Sequence, residues 1–183
     1  MSGEALSAVE GEIPRWTVES GEITFQVTSD GTTGPAWIER LHKRGFLTSE
    51  PSMNFLRSAH FVPTVDVTTT VRVMRGREER SGKMHPVVER VPDKAVPWSL
   101  VAPEPEVACL IRVQFSDDDL KQMGFVRIVV VHNHRREFAT GWPLLCVKRD
   151  PVGSWLVAAH GSITGTWPRE TGFAFAVPEP RRR

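Results

Sequence analysis

Histidines 132 and 134 stand two residues apart at the end of an apolar run, as His132-Asn133-His134. In an extended backbone such a pair projects to one side. Two imidazoles on one face are a start toward a divalent metal site, which needs at least a third ligand. His160 closes a later predicted strand and Asp150 sits in a predicted hairpin turn, so both are eligible. Arg135 and Arg136 follow directly and would repel a cation. The plainer reading is a polar, solvated strand end. The letters H-N-H match a nuclease name by coincidence, because those nucleases spread the residues over a longer unit.

A second candidate is the turn ahead of the first predicted helix, Ser29-Asp30-Gly31-Thr32-Thr33-Gly34-Pro35. Gly31 and Gly34 free the backbone around Thr32 and Thr33, and a helix start presents N–H groups to an anion. No GxGxxG pattern and no Walker lysine accompany it. Asp30 would oppose a phosphate, so an ordinary connecting loop competes with the anion site.

The third candidate combines tryptophan with arginine. Trp142, Trp155 and Trp167 lie in the C-terminal part, interleaved with Arg135, Arg136, Arg149 and Arg169. Trp and Arg are favoured anchors of protein interfaces. The same mixture suits stacking on single-stranded nucleic acid. Its competitor is a set of tryptophans that merely cover a small sheet. Nucleophile chemistry is poorly supported. No GxSxG is present, and Cys109 and Cys146 both sit in aliphatic runs, which keep a thiol protonated and inert. No cofactor motif is found and no cofactor is expected.

The elements that must position these residues follow from hydrophobic period. Ile23, Phe25 and Val27 alternate with polar residues, as in a half-buried strand. Pro35 suits the first turn of a helix that carries Trp37, Ile38 and Leu41 on one face to about Arg44, with Gly45 as its C-cap. Ser49-Glu50-Pro51-Ser52 opens a second helix with Met53, Leu56 and His60 on one stripe, ended by Pro63. The short link between them makes the two helices packed neighbours. Residues 65–73 alternate valine with polar residues, so Val65, Val67, Thr69, Val71 and Val73 should face the core. Residues 75–106 lose all pattern and collect prolines, and read as a long excursion rather than a domain boundary.

Beyond it, residues 107–115 read as a strand with Cys109, Ile111, Val113 and Phe115 on one face. Ser116 caps a short helix with Asp119 at the capping-box position, and Gly124 ends it. Residues 125–131 are apolar on both faces apart from Arg127, as a central strand should be. Residues 144–148 and 154–159 form a hairpin around Asp150-Pro151-Val152-Gly153. Residues 172–177 make a last strand, whose Ala174 and Ala176 imply close packing. The fold expected is α+β, a mostly antiparallel sheet of about six strands with two packed N-terminal helices and one short helix. Residues 1–20 are expected to be a disordered segment, residues 21–178 one domain, and residues 179–183 a basic tail.

Composition agrees with one globular domain. The chain has 183 residues, 40% apolar and 25% charged, which suffices for a real core. The net charge of +1 excludes polyanion binding by bulk field. A protein partner is therefore favoured, nucleic acid is the alternative, and no membrane span is expected. The first residues lack a secretory pattern, and the two cysteines show no metal or redox spacing, which suits a cytoplasmic home.

The stretches Ser29-Asp30-Gly31-Thr32-Thr33-Gly34-Pro35-Ala36-Trp37-Ile38-Glu39-Arg40-Leu41 and Glu106-Val107-Ala108-Cys109-Leu110-Ile111-Arg112, residues 115–124, and Gly172-Phe173-Ala174-Phe175-Ala176-Val177 resemble small bacterial hypothetical proteins of unassigned function. Together they cover much of the sequence beyond residue 20. The resemblance implies a bacterial source and a cytoplasmic setting, and brings no catalytic residues. The function expected is that of a non-enzymatic binding or accessory module using the Trp/Arg surface. A metal-dependent hydrolase or nuclease on His132 and His134 and a single-strand nucleic-acid binder are the alternatives.

Overall fold

A computed structural model describes residues 15–75, 77–78, 84–85, 100–132, 143–159 and 167–179. Its centre is an eight-stranded mixed sheet. The strands are β1 (Thr17–Glu19), β2 (Glu22–Asp30), β3 (Leu47–Thr48), β4 (Val65–Arg75), β7 (Arg127–Val130), β8 (Leu144–Asp150), β9 (Gly153–Ala159) and β10 (Thr171–Ala176). Their order is β1-β2-β4-β10-β7-β8-β9-β3. The pairs β10–β7 and β3–β9 are parallel and the others antiparallel. Apart from the sheet, β5 (Arg77–Glu78) and β6 (Met84–His85) pair with each other.

The helices among the described residues are α1 (Gly34–Lys43), α2 (Glu50–Leu56), α3 (Glu106–Gln114) and α4 (Asp117–Gln122). The α+β class expected from sequence holds. The details differ in three places: the sheet is larger than six strands, it is mixed, and α3 stands where a strand is predicted.

The α3 discrepancy has a clear cause. Every residue from Glu106 to Arg112 is buried, and the apolar run from Val107 to Ile111 shows no wet face that would mark a helix. Periodicity cannot separate a buried helix from a buried strand over so short a run. The end signals do favour a helix: Pro105 precedes it, Glu106 lies in its first turn and Arg112 in its last. Across the sheet α3 meets β2, β7, β8 and β9. It therefore fills the middle of the helix-covered layer.

Other elements form for the reasons their residues suggest. Pro35 lies in the first turn of α1, Arg44 is its C-cap, and Gly45 follows with φ +79°. Ser49 caps α2 by accepting from the Ser52 N–H. That helix ends at Leu56, well before Pro63, so His60 is exposed rather than part of a stripe. Ser116 and Asp119 form the reciprocal capping box of α4. Strand β7 lies inside the sheet, between β10 and β8, as its apolar faces require. The valine stripe of β4 is core only at Val71 and Val73; Val65 and Val67 flank Asp66 (φ +54°), where the pairing with β2 shifts register, and are 63% and 46% exposed. Thr17–Glu19 fall within the first twenty residues and pair as an edge strand with β2.

The apolar residues divide into two layers on opposite sheet faces. The larger holds Phe25, Val71, Val73, Ile128, Val130, Leu145, Val147, Leu156 and Ala174, with Trp37, Leu41, Leu56 and Ile111 from the helices. The smaller holds Val129, Val131, Leu144, Cys146, Phe173 and Trp167. Alternation along β7, β8 and β10 feeds both layers from the same strands. No helix among the described residues is long and apolar enough to cross a membrane.

Candidate functional site

His132 lies buried at the end of β7, and its Nε2 accepts the Leu145 N–H at 3.2 Å. Its ring also packs on Phe55, with centroids 5.2 Å apart. That nitrogen is committed to backbone. The oxygens of Asp150 are committed too: Oδ1 accepts from Val152 N, Gly153 N and Trp155 Nε1, and Oδ2 from Lys148 Nζ at 2.8 Å. His134 and His160 lie outside the described residues. Among the described residues no group of three or more His, Cys, Asp or Glu could hold a metal ion.

The Gly31–Gly34 turn is filled from within. Asp30 Oδ1 accepts from Thr32 N–H and hydroxyl, and Oδ2 meets Arg40 Nη1 at 2.6 Å. The Thr32 bond and then Arg40 hold the Asp30 carboxyl below its ordinary range. The carboxylate thus takes the place an external anion would need. Both glycines answer to geometry: Gly31 has φ +76°, and a Cβ on Gly34 would lie 1.7 Å from the Leu56 carbonyl oxygen.

The tryptophan and arginine candidates separate onto different faces. Trp167 is buried in the smaller layer, edge-on to Phe173 at 5.9 Å. Trp155 has the parity of Val157 and so shares that face, partly exposed. Arg149 has the opposite parity, and its Nε donates to the Phe125 carbonyl at 2.9 Å. Arg169 is exposed in the turn before β10. Trp142, Arg135 and Arg136 fall outside the described residues.

The strand register instead assembles a row that sequence reasoning missed. Thr171 is paired with Arg127, Arg127 with Lys148, and Lys148 with Trp155. All four lie on the face of the smaller layer, one step along the strands from Phe173, Val129, Cys146 and Val157. The thiol of Cys146 reports this placement: burial pushes it up to about 12, while Arg127 and Lys148 pull in the other direction. Like charges directly opposite across an antiparallel pair are unfavourable. Lys148 has a counter-charge in Asp150, whose carboxyl the Lys148 bond lowers to about 2. Arg127 has none among the described residues.

Arg127 Nε, Thr171 Oγ1 and Trp167 Nε1 are each sealed from water with no hydrogen-bond partner among the described residues. An orphaned buried donor costs about 1–3 kcal/mol, so three of them on one face call for a reason beyond the stability of the fold. The fully buried Arg112 also keeps an Nε with no partner among the described residues, but its charge is met. Its Nη1 stands 3.0 Å from Asp117 Oδ1 and its Nη2 donates to the Phe115 carbonyl at 2.7 Å. The signal for the row is present in part in the sequence, as Arg127 is the one polar residue in an apolar strand. Its neighbours follow only from long-range register.

Fold and site together define an α+β domain with one sheet face free of helices among the described residues, edged by a cation–aromatic row. Comparison with family models, with curated proteins and with solved structures gives no match.

Proposed function

We propose that this protein is a non-enzymatic binding module that receives a protein partner on the face carrying Arg127, Lys148 and Trp155. The observation that carries the reading is a guanidinium with no counter-charge among the described residues, set directly opposite a lysine. Such a pair costs stability in the isolated fold and gains from an acidic partner. Trp155, held by its Nε1 bond to Asp150, supplies a preset apolar plane beside the charges. A bacterial, cytoplasmic setting goes with this reading through the resemblance to small bacterial proteins. The test compares capture from a host lysate by the wild-type protein and by Arg127→Ala/Lys148→Ala. A stoichiometric protein bound by the first and lost by the second is expected. Equal capture by both, or none at low salt, counts against the reading.

A second reading, single-stranded nucleic acid, is favoured by one observation: Trp155 is partly exposed beside Lys148. Salt-sensitive tryptophan quenching on oligonucleotide addition would support it, and a flat titration would dismiss it.

A further inference from the structure

We propose that Arg127, Thr171 and Trp167 form a receptor for one carboxylate of a protein partner, either an Asp or Glu side chain or the partner's terminal carboxylate. The proposal rests on the binding-module reading and names the chemistry its partner must bring.

Three observations converge. Arg127 Nε, Thr171 Oγ1 and Trp167 Nε1 are buried hydrogen-bond donors with no partner among the described residues, supplied by β7, by β10 and by the turn that leads into β10. Thr171 and Trp167 are 0% and 8% exposed, whereas Arg127 is only partly covered. The guanidinium therefore stands at the margin of the sealed pair. All three lie on one face: Thr171 pairs with Arg127 in parallel register, and Trp167 packs edge-on to Phe173, two residues along β10 on the same side.

Charge selects among oxyanions. Asp150 offsets Lys148, so within the row Arg127 is left without a counter-charge among the described residues. A carboxylate carries a single charge and about four acceptor sites on two oxygens. An arginine fork with one hydroxyl and one indole N–H meets that demand. A phosphate monoester, near −2 at neutral pH, would stay under-compensated. A nucleic-acid backbone would need a wider basic field than a protein of net charge +1 provides. The other buried polar groups do not compete: Trp37 Nε1 lies in the helix-side layer, Arg72 Nε faces Glu22 at 3.6 Å, and Arg112 already faces Asp117.

The test is a titration of the full-length protein, followed by NMR at the Trp167 indole N–H, which Trp167→Phe assigns. Sodium acetate is the probe, with sodium chloride at matched ionic strength and inorganic phosphate as separate arms. A saturable acetate shift is expected, absent with chloride. Arg127→Gln should weaken it about tenfold or more. Thr171→Val should weaken it severalfold, and Thr171→Ser should restore it. Retention of the cooperative melt in each variant separates lost binding from lost fold. No saturable shift, the same shift with chloride, an unchanged affinity in Arg127→Gln, or saturation by phosphate alone would each overturn the carboxylate assignment. If acetate fails while partner capture still needs Arg127 and Lys148, the receptor falls and the module stands. If acetate binds and capture needs neither residue, the receptor stands and the module reading falls.

Discussion

Thr171 keeps a hydroxyl where packing alone would favour a methyl. Its Oγ1 is buried with no partner among the described residues, so Thr171→Val removes an unmet polar group while keeping the side chain's shape. The expected result is a gain of about 1 kcal/mol in unfolding free energy, measured by urea denaturation. A loss of similar size would mean that the hydroxyl serves the fold itself. Glu106 gives a second residue-scale expectation. Burial raises its carboxyl above the ordinary 4.5, against the lowering effect of the bonds donated by Thr64. Glu104 and Asp30 add to the rise. The folded protein then holds the Glu106 proton more tightly than the unfolded one. Its contribution is fully present below pH 4.5 and is lost as pH rises through the folded value. Melting temperature should fall across that window and stay flatter in Glu106→Gln. The lowered carboxyls Asp30, Asp119 and Asp150 act with opposite sign below pH 3.8, so the two effects separate. At this scale the sequence discloses types better than neighbours. Arg127 stands out in its apolar strand, but nothing local ties it to the distant Thr171, because only the sheet register joins them.

At the scale of elements, local chemistry is readable wherever one side of an element is wet. The alternation of β2, the caps of α2 and α4, and the Asp150 hairpin all follow from nearby residues. Helix α3 is not readable from its period, because burial from Glu106 to Arg112 removes the wet face that would mark a helix, and only its end signals remain. Packing between elements is hidden as well. Gly34 reads as a loop glycine freeing an anion site, yet its role is to let α1 approach the end of α2. A Cβ there would stand 1.7 Å from the Leu56 carbonyl oxygen. Backbone cannot rotate aside as a side-chain tip can. Gly34→Ala should therefore cost about 3 kcal/mol, the upper end of overpacking effects, and a stability within error of wild type would refute the close approach. Ser116→Ala tests the α4 cap more gently. Loss of the bond to the Asp119 N–H should cost about 1 kcal/mol, with Ser116→Asp expected to recover most of it.

At the largest scale, the eight-stranded sheet lies between two unequal apolar layers of the described residues, and the two thiols sample those layers separately. Cys109 lies on α3 in the helix-side layer, and Cys146 lies on β8 in the other. Both are buried, and burial raises both thiols, Cys146 to about 12 and Cys109 further still. Neither can react while the fold is closed, since the thiolate is the reactive form. Labelling therefore reports opening of the layer around each cysteine. The smaller layer has less apolar surface, which taken alone would favour its opening first. The strands argue otherwise. Ile128 and Val129, Leu145 and Cys146, and Phe173 and Ala174 are adjacent pairs that point to opposite layers. Stripping either layer exposes one side of every central strand, so both should be lost in one cooperative step. The single-thiol variants Cys109→Ala and Cys146→Ala, labelled under native conditions with rising urea, should give equal opening free energies and equal urea dependence once each variant's own stability is subtracted. Faster labelling at Cys146 with little urea dependence would show instead that the helix-free layer parts from the sheet by itself. The receptor formed by Arg127, Thr171 and Trp167 would then lie in the less stable half of the molecule, where partner binding would order it.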